Sequence, residues 1–554
     1  MTTTSARPAG STLRTLPIRI AGNALGRRLR LSAPTTGYTV SRVKIPMRDG
    51  VELLADHYAP AGDTEPVGTL LLRGPYGRGF PFSLVFGALY AARGYRVLMQ
   101  SVRGTFGSGG EFTPMVHEAA DGADTVAWMR EQPWFTGKFA TLGISYLGFT
   151  QWALLQDPPP ELAAAVITAG PHDLSASAWG TGAFTVNDFL GWSHLVARQE
   201  DPVRIRAGIR QLTAQKNVVR AAAEVPLGAA GRKLLGAGAP WWESWLEHPD
   251  TSDPFWEPLR PSAALDRVQV PVLLLSGWQD LFLPQTLHQY RHLRDRGVDV
   301  ALTMGPWTHT QLLLQGLPVI ARETADWLDT HLAGRPATPR SGRVRFFVNG
   351  EGWRESPDWP PATGERALYL QPGGGLVETP PAASSSASFR YDPADPTPTI
   401  GGRLLSPDGG YRDDTALTSR RDVLSFSTDA LTDDLYVHGN PVAELAHAAD
   451  NPHIDVFVRI SEVDAKGRSR NVSDAYRRLD GTSPDGNLLR LELDAIAHRF
   501  RAGSRIRVLI AGGSHPRFSR NLGTGAATLT GDELKPSTHQ VHFGASRVLL
   551  PLGS

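Results

Sequence analysis

The stretch Thr141-Leu-Gly143-Ile-Ser145-Tyr146-Leu147-Gly148 sets a hydroxyl between glycines. The residues before it, Phe139 to Gly143, read as a short apolar strand. Those after it, Phe149-Thr-Gln-Trp-Ala-Leu-Leu155, read as the start of a helix. A serine hydroxyl is a weak nucleophile, and a tight strand-to-helix turn is one way to expose it to a neighbouring base. Gly143 and Gly148 remove side chains that would collide with adjacent backbone. The usual pattern puts the second glycine two residues after the serine; here Leu147 holds that place and Gly148 follows.

A serine nucleophile needs a base to take its proton and a carboxylate to orient that base. In α/β hydrolases these follow in the order Ser, Asp or Glu, His, each on a loop after a strand. Asp280 lies in Ser276-Gly-Trp-Gln-Asp280, directly after the apolar run Val270 to Ser276. His309 lies in Met304-Gly-Pro-Trp-Thr-His309, directly after Val298 to Met304. Both sit at carboxyl ends of strands, where open parallel sheets form their ligand crevices. Residue type, order and location agree at three separate places, which makes Ser145, Asp280 and His309 the candidate triad.

These residues need a scaffold, and the pattern supplies one. Tyr38 to Tyr58 alternates around Met47-Arg-Asp-Gly50, a hairpin signal. Apolar strands follow at Gly68 to Arg73 and Tyr95 to Gln100, with helices expected over 83–92 and 117–130, and a further strand over 163–169. Strands alternating with helices predict a mostly parallel sheet covered on both faces. From His172 to Ala264 no strand is evident and the stretch Val203 to Ala223 reads as helix, so a helical cap inserted over the site is expected. A helix over 319–332 closes the α/β part. Beyond Pro339 short strands recur between Gly/Pro-rich turns, among them Val344–Val348, Ala367–Leu370, Ile454–Val458, Leu489–Leu493, Ile506–Ile510 and Val541–Phe543. That composition predicts an all-β sandwich or jelly roll.

At 554 residues the chain has room for about three domains. It is expected to divide into a basic, loosely ordered leader (1–36), an α/β-hydrolase domain (37–171 and 265–335), a helical cap (172–264) and a C-terminal jelly roll (341–554). Lys+Arg 56 against Asp+Glu 55 gives no electrostatic pull toward nucleic acid. The absence of cysteine removes disulfides, thiolate metal sites and cysteine nucleophiles. No apolar run reaches the length of a membrane span. Arg19 interrupts the apolar stretch Leu16 to Leu25, which argues against a secretory signal and for a cytoplasmic protein.

Other motifs carry less. The glycine-rich loop 103–110 lacks the Gly-Lys-Ser/Thr ending of a phosphate cradle. His288 and His292 are spaced i, i+4, but Gln289 stands where a zincin has glutamate. Asn471-Val-Ser473 is a glycosylation sequon by pattern only. Neither a metal nor a cofactor is expected.

The blocks Gly143-Ile-Ser145-Tyr146-Leu-Gly148, Gly277-Trp-Gln-Asp280 and Gly305-Pro-Trp-Thr-His309 resemble the signatures of the cocaine esterase/X-prolyl dipeptidyl peptidase (peptidase S15-like) hydrolases. The resemblance extends to Arg48-Asp-Gly50, to Arg73-Gly-Pro-Tyr76 and to Ser514-His-Pro-Arg-Phe-Ser-Arg-Asn521. It implies an α/β-hydrolase core, a helical cap and a C-terminal jelly roll. It also implies an oxyanion hole made by the Tyr76 hydroxyl and the Tyr146 backbone N–H, and an acyl pocket walled by Trp179, Trp192 and Phe282. Trp278 and Trp307 read as structural. The family often has aspartate where this chain has Ser101, a departure that bears on the local loop.

The expected reaction is hydrolysis of small-molecule carboxylic esters through an acyl-enzyme, and a homo-oligomer is compatible with it. Amide and amine-bearing substrates of the same family (X-prolyl peptides, α-amino-acid esters, β-lactam side chains) are the second reading. A free amine would need a carboxylate in the pocket, for which the cap offers Asp173 and Asp188. A remoter reading is a silent hydrolase fold whose β domain binds carbohydrate or protein.

Overall fold

The computed structural model describes residues 12–62, 65–200, 214–336, 340–479 and 488–553. Its centre is a ten-stranded sheet in the order β1-β2-β4-β3-β5-β6-β7-β8-β9-β10. The strands are β1 (Tyr38–Pro46), β2 (Glu52–Pro60), β3 (Thr69–Gly74), β4 (Arg96–Ser101), β5 (Phe139–Ile144), β6 (Leu162–Thr168), β7 (Val272–Gln279), β8 (Val300–Thr308), β9 (Val344–Val348) and β10 (Gly352–Ser356). Strands β3 to β9 pair in parallel, while β1, β2 and β10 run antiparallel at the two edges. Every residue of β3, β5 and β7 is buried, as expected of parallel strands covered on both faces, which read as continuous apolar runs. The expected α/β class is what the chain adopts.

The helices on the two faces include Glu118–Arg130, Tyr146–Leu154, Leu283–Asp295 and Leu317–His331. Around residue 83 the expected helix is present but begins with widened π turns over Ser83–Ala88 before Leu89–Ala91.

The described residues of 174–200 and 214–259 depart from the sheet as short helices around a second, aromatic core. Trp179, Phe184, Phe189, Trp241, Trp242, Trp245 and Trp256 are all buried there. Asp173 caps the first of these helices, accepting the Ala176 N–H at 3.0 Å. Of the helix expected over 203–223, residues 214–222 are helical, and 201–213 lie outside the described residues.

Residues from about 362 onward form two antiparallel sheets, of eight and four strands, facing each other across one core. Side chains from both, such as Val437, Leu445 and Val548 against Val456, Val458 and Ile510, fill it. This is the jelly-roll domain. Its longest strand, Ser537–Gly553, pairs with four others in turn.

Two boundaries differ from the sequence reading. Val344–Val348, assigned above to the jelly roll, is β9 of the central sheet, with Leu302↔Val344 and Met304↔Phe346 in register. Its alternating pattern fits either sheet, and local sequence carries no signal of which neighbour it will meet. The leader is also more ordered than expected, because Thr12–Arg28 is a helix. Gly22 and Gly26 let it lie close on the body: a Cβ at Gly22 would sit 3.1 Å from Ala88 Cβ, and one at Gly26 would collide with Arg93. Leu25 and Leu29 pack into the core beneath, and the N–H groups of Thr35 and Thr36 donate to Ala92 O. Among the described residues no helix is long and apolar enough to cross a membrane.

Candidate active site

Ser145 stands between β5 and the helix Tyr146–Leu154 with φ 60° and ψ −121°, a conformation that costs a non-glycine residue about 1–3 kcal/mol. The surroundings fix it there. Its N–H donates to Thr168 O at 2.9 Å, and its own carbonyl accepts the N–H groups of Gly148 (2.8 Å) and Phe149 (3.0 Å). Two neighbours at the site, Met115 (φ 69°) and Ala169 (φ 45°), are also held at positive φ.

The glycines flanking Ser145 are steric necessities. A Cβ on Gly148 would lie 2.5 Å from Gly170 Cα, and one on Gly143 would lie 2.4 Å from Leu147 Cβ. Leu147 occupies the space above Gly74 and Gly143 and joins the core on that face. The bulky residue in the usual glycine place is therefore accommodated by glycine on the facing strand β3.

Asp280 is fully buried just past β7. Its Oδ1 accepts the Phe282 N–H at 2.7 Å, and its Oδ2 lies 2.6 Å from Nδ1 of His309. His309 begins a short helix that Thr308 and Gln311 cap reciprocally, which anchors the imidazole's backbone. Its ring meets Phe282 edge to face at 5.5 Å. Trp278 and Trp307 support this region from behind: Trp278 Nε1 donates to Phe347 O at 2.7 Å, and a Cβ on Gly277 would collide with Trp307 O.

Ser145, His309, Tyr76, Tyr146, Trp192 and Phe282 line one cavity of about 330 Å³. Tyr76, on the loop after β3, accepts the Trp192 indole N–H at 3.0 Å. Burial pushes its phenol pKa up, while hydrogen bonds from Trp192 and with Ser145 act the other way. Tyr146 turns its side chain away from this group: its hydroxyl donates to Glu118 and accepts from the Met115 N–H.

Trp179 stands elsewhere. It is not among the cavity's lining residues. Its Nε1 donates to Trp245 O at 2.9 Å and its ring packs on Phe184, 5.1 Å between centroids. It belongs to the aromatic core of these short helices, as an indole with its one donor satisfied there.

The sequence reading left out several lining residues. Arg403, Leu405, Arg517 and Phe518 reach the cavity from the jelly roll, more than 90 residues of chain beyond His309. The block Ser514–Asn521 marked two of them without assigning a role. Arg403 is fixed by Asp494 (2.6 Å) and by Leu281 O (2.9 Å), and Arg517 by Asp474 (2.5 Å). Burial works against ionised Asp474, yet Arg517 and Arg459 hold its pKa below the usual carboxylate range. Asp188, one of the two carboxylates considered above, also lines the cavity. Burial pushes its pKa up to about 6, opposed by the Leu405 N–H that its Oδ1 accepts at 2.8 Å. Asp173 is instead engaged at a helix N-terminus with Ser175 and Ala176.

Other sequence features find structural roles. Ser101 accepts a hydrogen bond from Arg78, whose carboxylate partner is Asp56 on β2, 3.3 Å away. His288 stacks on His172 at 5.3 Å, and among the described residues no group of three or more His, Asp or Glu is placed to hold a metal. Asn471 is buried in a strand with its side-chain amide bonded to Gly410 O, so the sequon is inaccessible in the folded chain.

Residues 49–311 match the model of the X-Pro dipeptidyl-peptidase (S15 family), and residues 337–548 match the X-Pro dipeptidyl-peptidase C-terminal non-catalytic domain. The cocaine esterase of Rhodococcus sp. (strain MB1 Bresler) is 33% identical over 571 aligned positions, covering 92% of this chain and 98% of that protein. An aminopeptidase from a marine sediment Thaumarchaeota archaeon shares the fold with a TM-score of 0.80 at 24% identity, covering 93% of this chain and 97% of that one. An α-amino acid ester hydrolase shares it with a TM-score of 0.78 at 24% identity, covering 94% and 98%. The chain belongs to the S15 family of serine hydrolases, together with cocaine esterase.

Proposed function

We propose that the protein is an acyl esterase working through a Ser145–His309–Asp280 triad and an acyl-enzyme. The observation that carries this reading is the shared cavity of Ser145 and His309, with Asp280 Oδ2 2.6 Å from the far nitrogen of that imidazole. Asp280 keeps the proton on Nδ1, which leaves the Nε2 lone pair free to accept. Ser145 Oγ attacks the ester carbonyl and passes its proton to Nε2. The carbonyl oxygen becomes an oxyanion facing the Tyr76 hydroxyl and the Tyr146 N–H, each such donor contributing about 3 kcal/mol. Collapse expels the alcohol, protonated by His309. Water, deprotonated by the same imidazole, then releases the carboxylic acid and restores Ser145.

The walls of Trp192, Phe189, Trp245 and Phe282 suit a compact apolar acyl group, because rings bury large areas in defined orientations. In this reading residues 172–264 cap the site and the jelly roll completes its wall. The similarity to an enzyme named for cocaine supports esters as the leading class. The test is labelling by a fluorophosphonate and turnover of a short p-nitrophenyl ester, in the native chain and in Ser145→Ala. Both should vanish in the variant; a native chain that neither labels nor turns over overturns the reading.

Asp188 favours a second reading, an acyl group bearing an amine, since a buried carboxylate in the wall offers it a partner. Rates on matched acyl esters with and without an α-amino group separate the two. A strong preference for the amine, lost in Asp188→Asn, selects the second.

A further inference from the structure

Trp192 stands on the cap helix Val186–Val196 and is half-buried where that helix crosses the cavity. Its ring lies parallel to that of Tyr146, 6.2 Å between centroids at 11°, with Phe112 and Trp245 against its other sides. An apolar wall needs no more than this. The indole, however, has a single polar group, an N–H that donates and never accepts, and it is directed at the hydroxyl oxygen of Tyr76, 3.0 Å away.

A phenol hydroxyl carries one proton and can rotate it about the C–O bond. Once the oxygen accepts from Trp192, the proton is turned away from the indole, and the cavity that Tyr76 shares with Ser145 is where it can donate. Hydrogen bonds in a chain also polarise one another, so an oxygen that accepts makes its own O–H a stronger donor. We infer that Trp192 is a positioning residue for the oxyanion hole: its indole N–H fixes the Tyr76 hydroxyl and strengthens it as the donor to the tetrahedral intermediate. This rests on the reading of Tyr76 as an oxyanion donor. It makes the cap a contributor to the chemistry, because the group that aims Tyr76 is on the cap and Tyr76 itself is on the α/β core.

A wall residue and a positioning residue behave differently in a double-mutant cycle. The substrate is p-nitrophenyl acetate, whose acyl group is too small to depend on the aromatic wall. Trp192→Phe keeps a flat ring and deletes the N–H; Tyr76→Phe deletes the hydroxyl. Trp192→Phe should lower kcat about five- to tenfold with KM nearly unchanged, and Tyr76→Phe about a hundredfold. The double variant should be no slower than Tyr76→Phe alone. Equal loss from Trp192→Phe in both backgrounds overturns the inference and leaves Trp192 as wall. If Tyr76→Phe alone leaves kcat intact, Tyr76 is no oxyanion donor and the inference falls with that assignment, while the triad is judged separately by Ser145→Ala. Should Trp192→Phe fail to fold, Trp192→3-benzothienylalanine replaces the N–H by sulfur in the same bicyclic outline and gives the same decision.

Discussion

The hydroxyl of Tyr146 donates to Glu118 Oε1 at 2.8 Å and accepts the Met115 N–H at 2.7 Å. Glu118 in turn pairs with buried Arg73 at 3.0 Å, and Arg73 donates to Gln100 at 2.7 Å. The residue after Ser145 is thereby tied by its side chain to β3, β4 and the helix Glu118–Arg130. Burial raises the Glu118 pKa, against the pull of Arg73. Glu118→Gln leaves Arg73 buried without its counter-charge, so it should cost about 3–5 kcal/mol. Tyr146→Phe strands one buried N–H and one carboxylate oxygen and should cost about 1–3 kcal/mol. Calorimetric Tm values for the two variants check the order; equal and small shifts would show the network to be dispensable.

Asp280→Asn should leave the fold and KM nearly unchanged and lower kcat by about four orders of magnitude. The amide can donate to Nδ1, which shifts the imidazole proton to Nε2 and removes the base. Single-turnover acylation rates measure this directly. A loss of less than tenfold would mean that the hydrogen bond seen between Asp280 and His309 does not set the tautomer.

Strain at Ser145 predicts that removing its Cβ stabilises the chain. Glycine adopts positive φ without steric penalty, so Ser145→Gly should raise stability by about 1 kcal/mol while abolishing turnover. Ser145→Ala should abolish turnover without that gain. Paired thermal melts distinguish them, and a lower Tm for the glycine variant would contradict the strain argument.

Acid should destabilise the protein well above the carboxylate range. Burial depresses the pKa of His57, His438, His447 and His515 to about 4, and of His172 and His539 to about 3. Unfolded histidine titrates near 6.5. Between about pH 6.5 and pH 4 the unfolded chain therefore binds protons that the folded chain refuses, so stability is complete above that window and falls as pH drops through it. Each such histidine contributes up to about 1.4 kcal/mol per pH unit. Asp188, whose pKa is raised to about 6, works in the opposite sense, as do Glu118 and Asp494, also raised by burial, but the histidines outnumber them. Tm should fall steeply from pH 7 to pH 5; a flat profile there would refute the argument.

Much of this protein was legible in its sequence because the relevant physics is local. Parallel strands buried on both faces must be apolar along their length, so β3, β5, β7 and β8 announced themselves. A serine exposed on a strained turn needs glycine where backbones nearly touch, as at Gly148 against Gly170. Ser145, Asp280 and His309 could be put forward as a candidate triad because each follows such a strand, in the order Ser, Asp, His. What the tertiary structure decided depended on neighbours far away in sequence. The pattern Val344–Val348 fits two sheets, and only pairing with β8 assigns it to one. Trp179 and Trp192 are the same residue type thirteen positions apart, yet one spends its N–H inside the cap and the other on Tyr76. The N-terminal helix is held by glycines fitted against Ala88 and Arg93, a close approach with no periodic signature. Arg403 and Arg517 reach the cavity from the jelly roll, where Asp494 and buried Asp474 fix them. Apolar periodicity and turn chemistry are written residue by residue; which long-range partner a side chain finds is settled only when the chain packs.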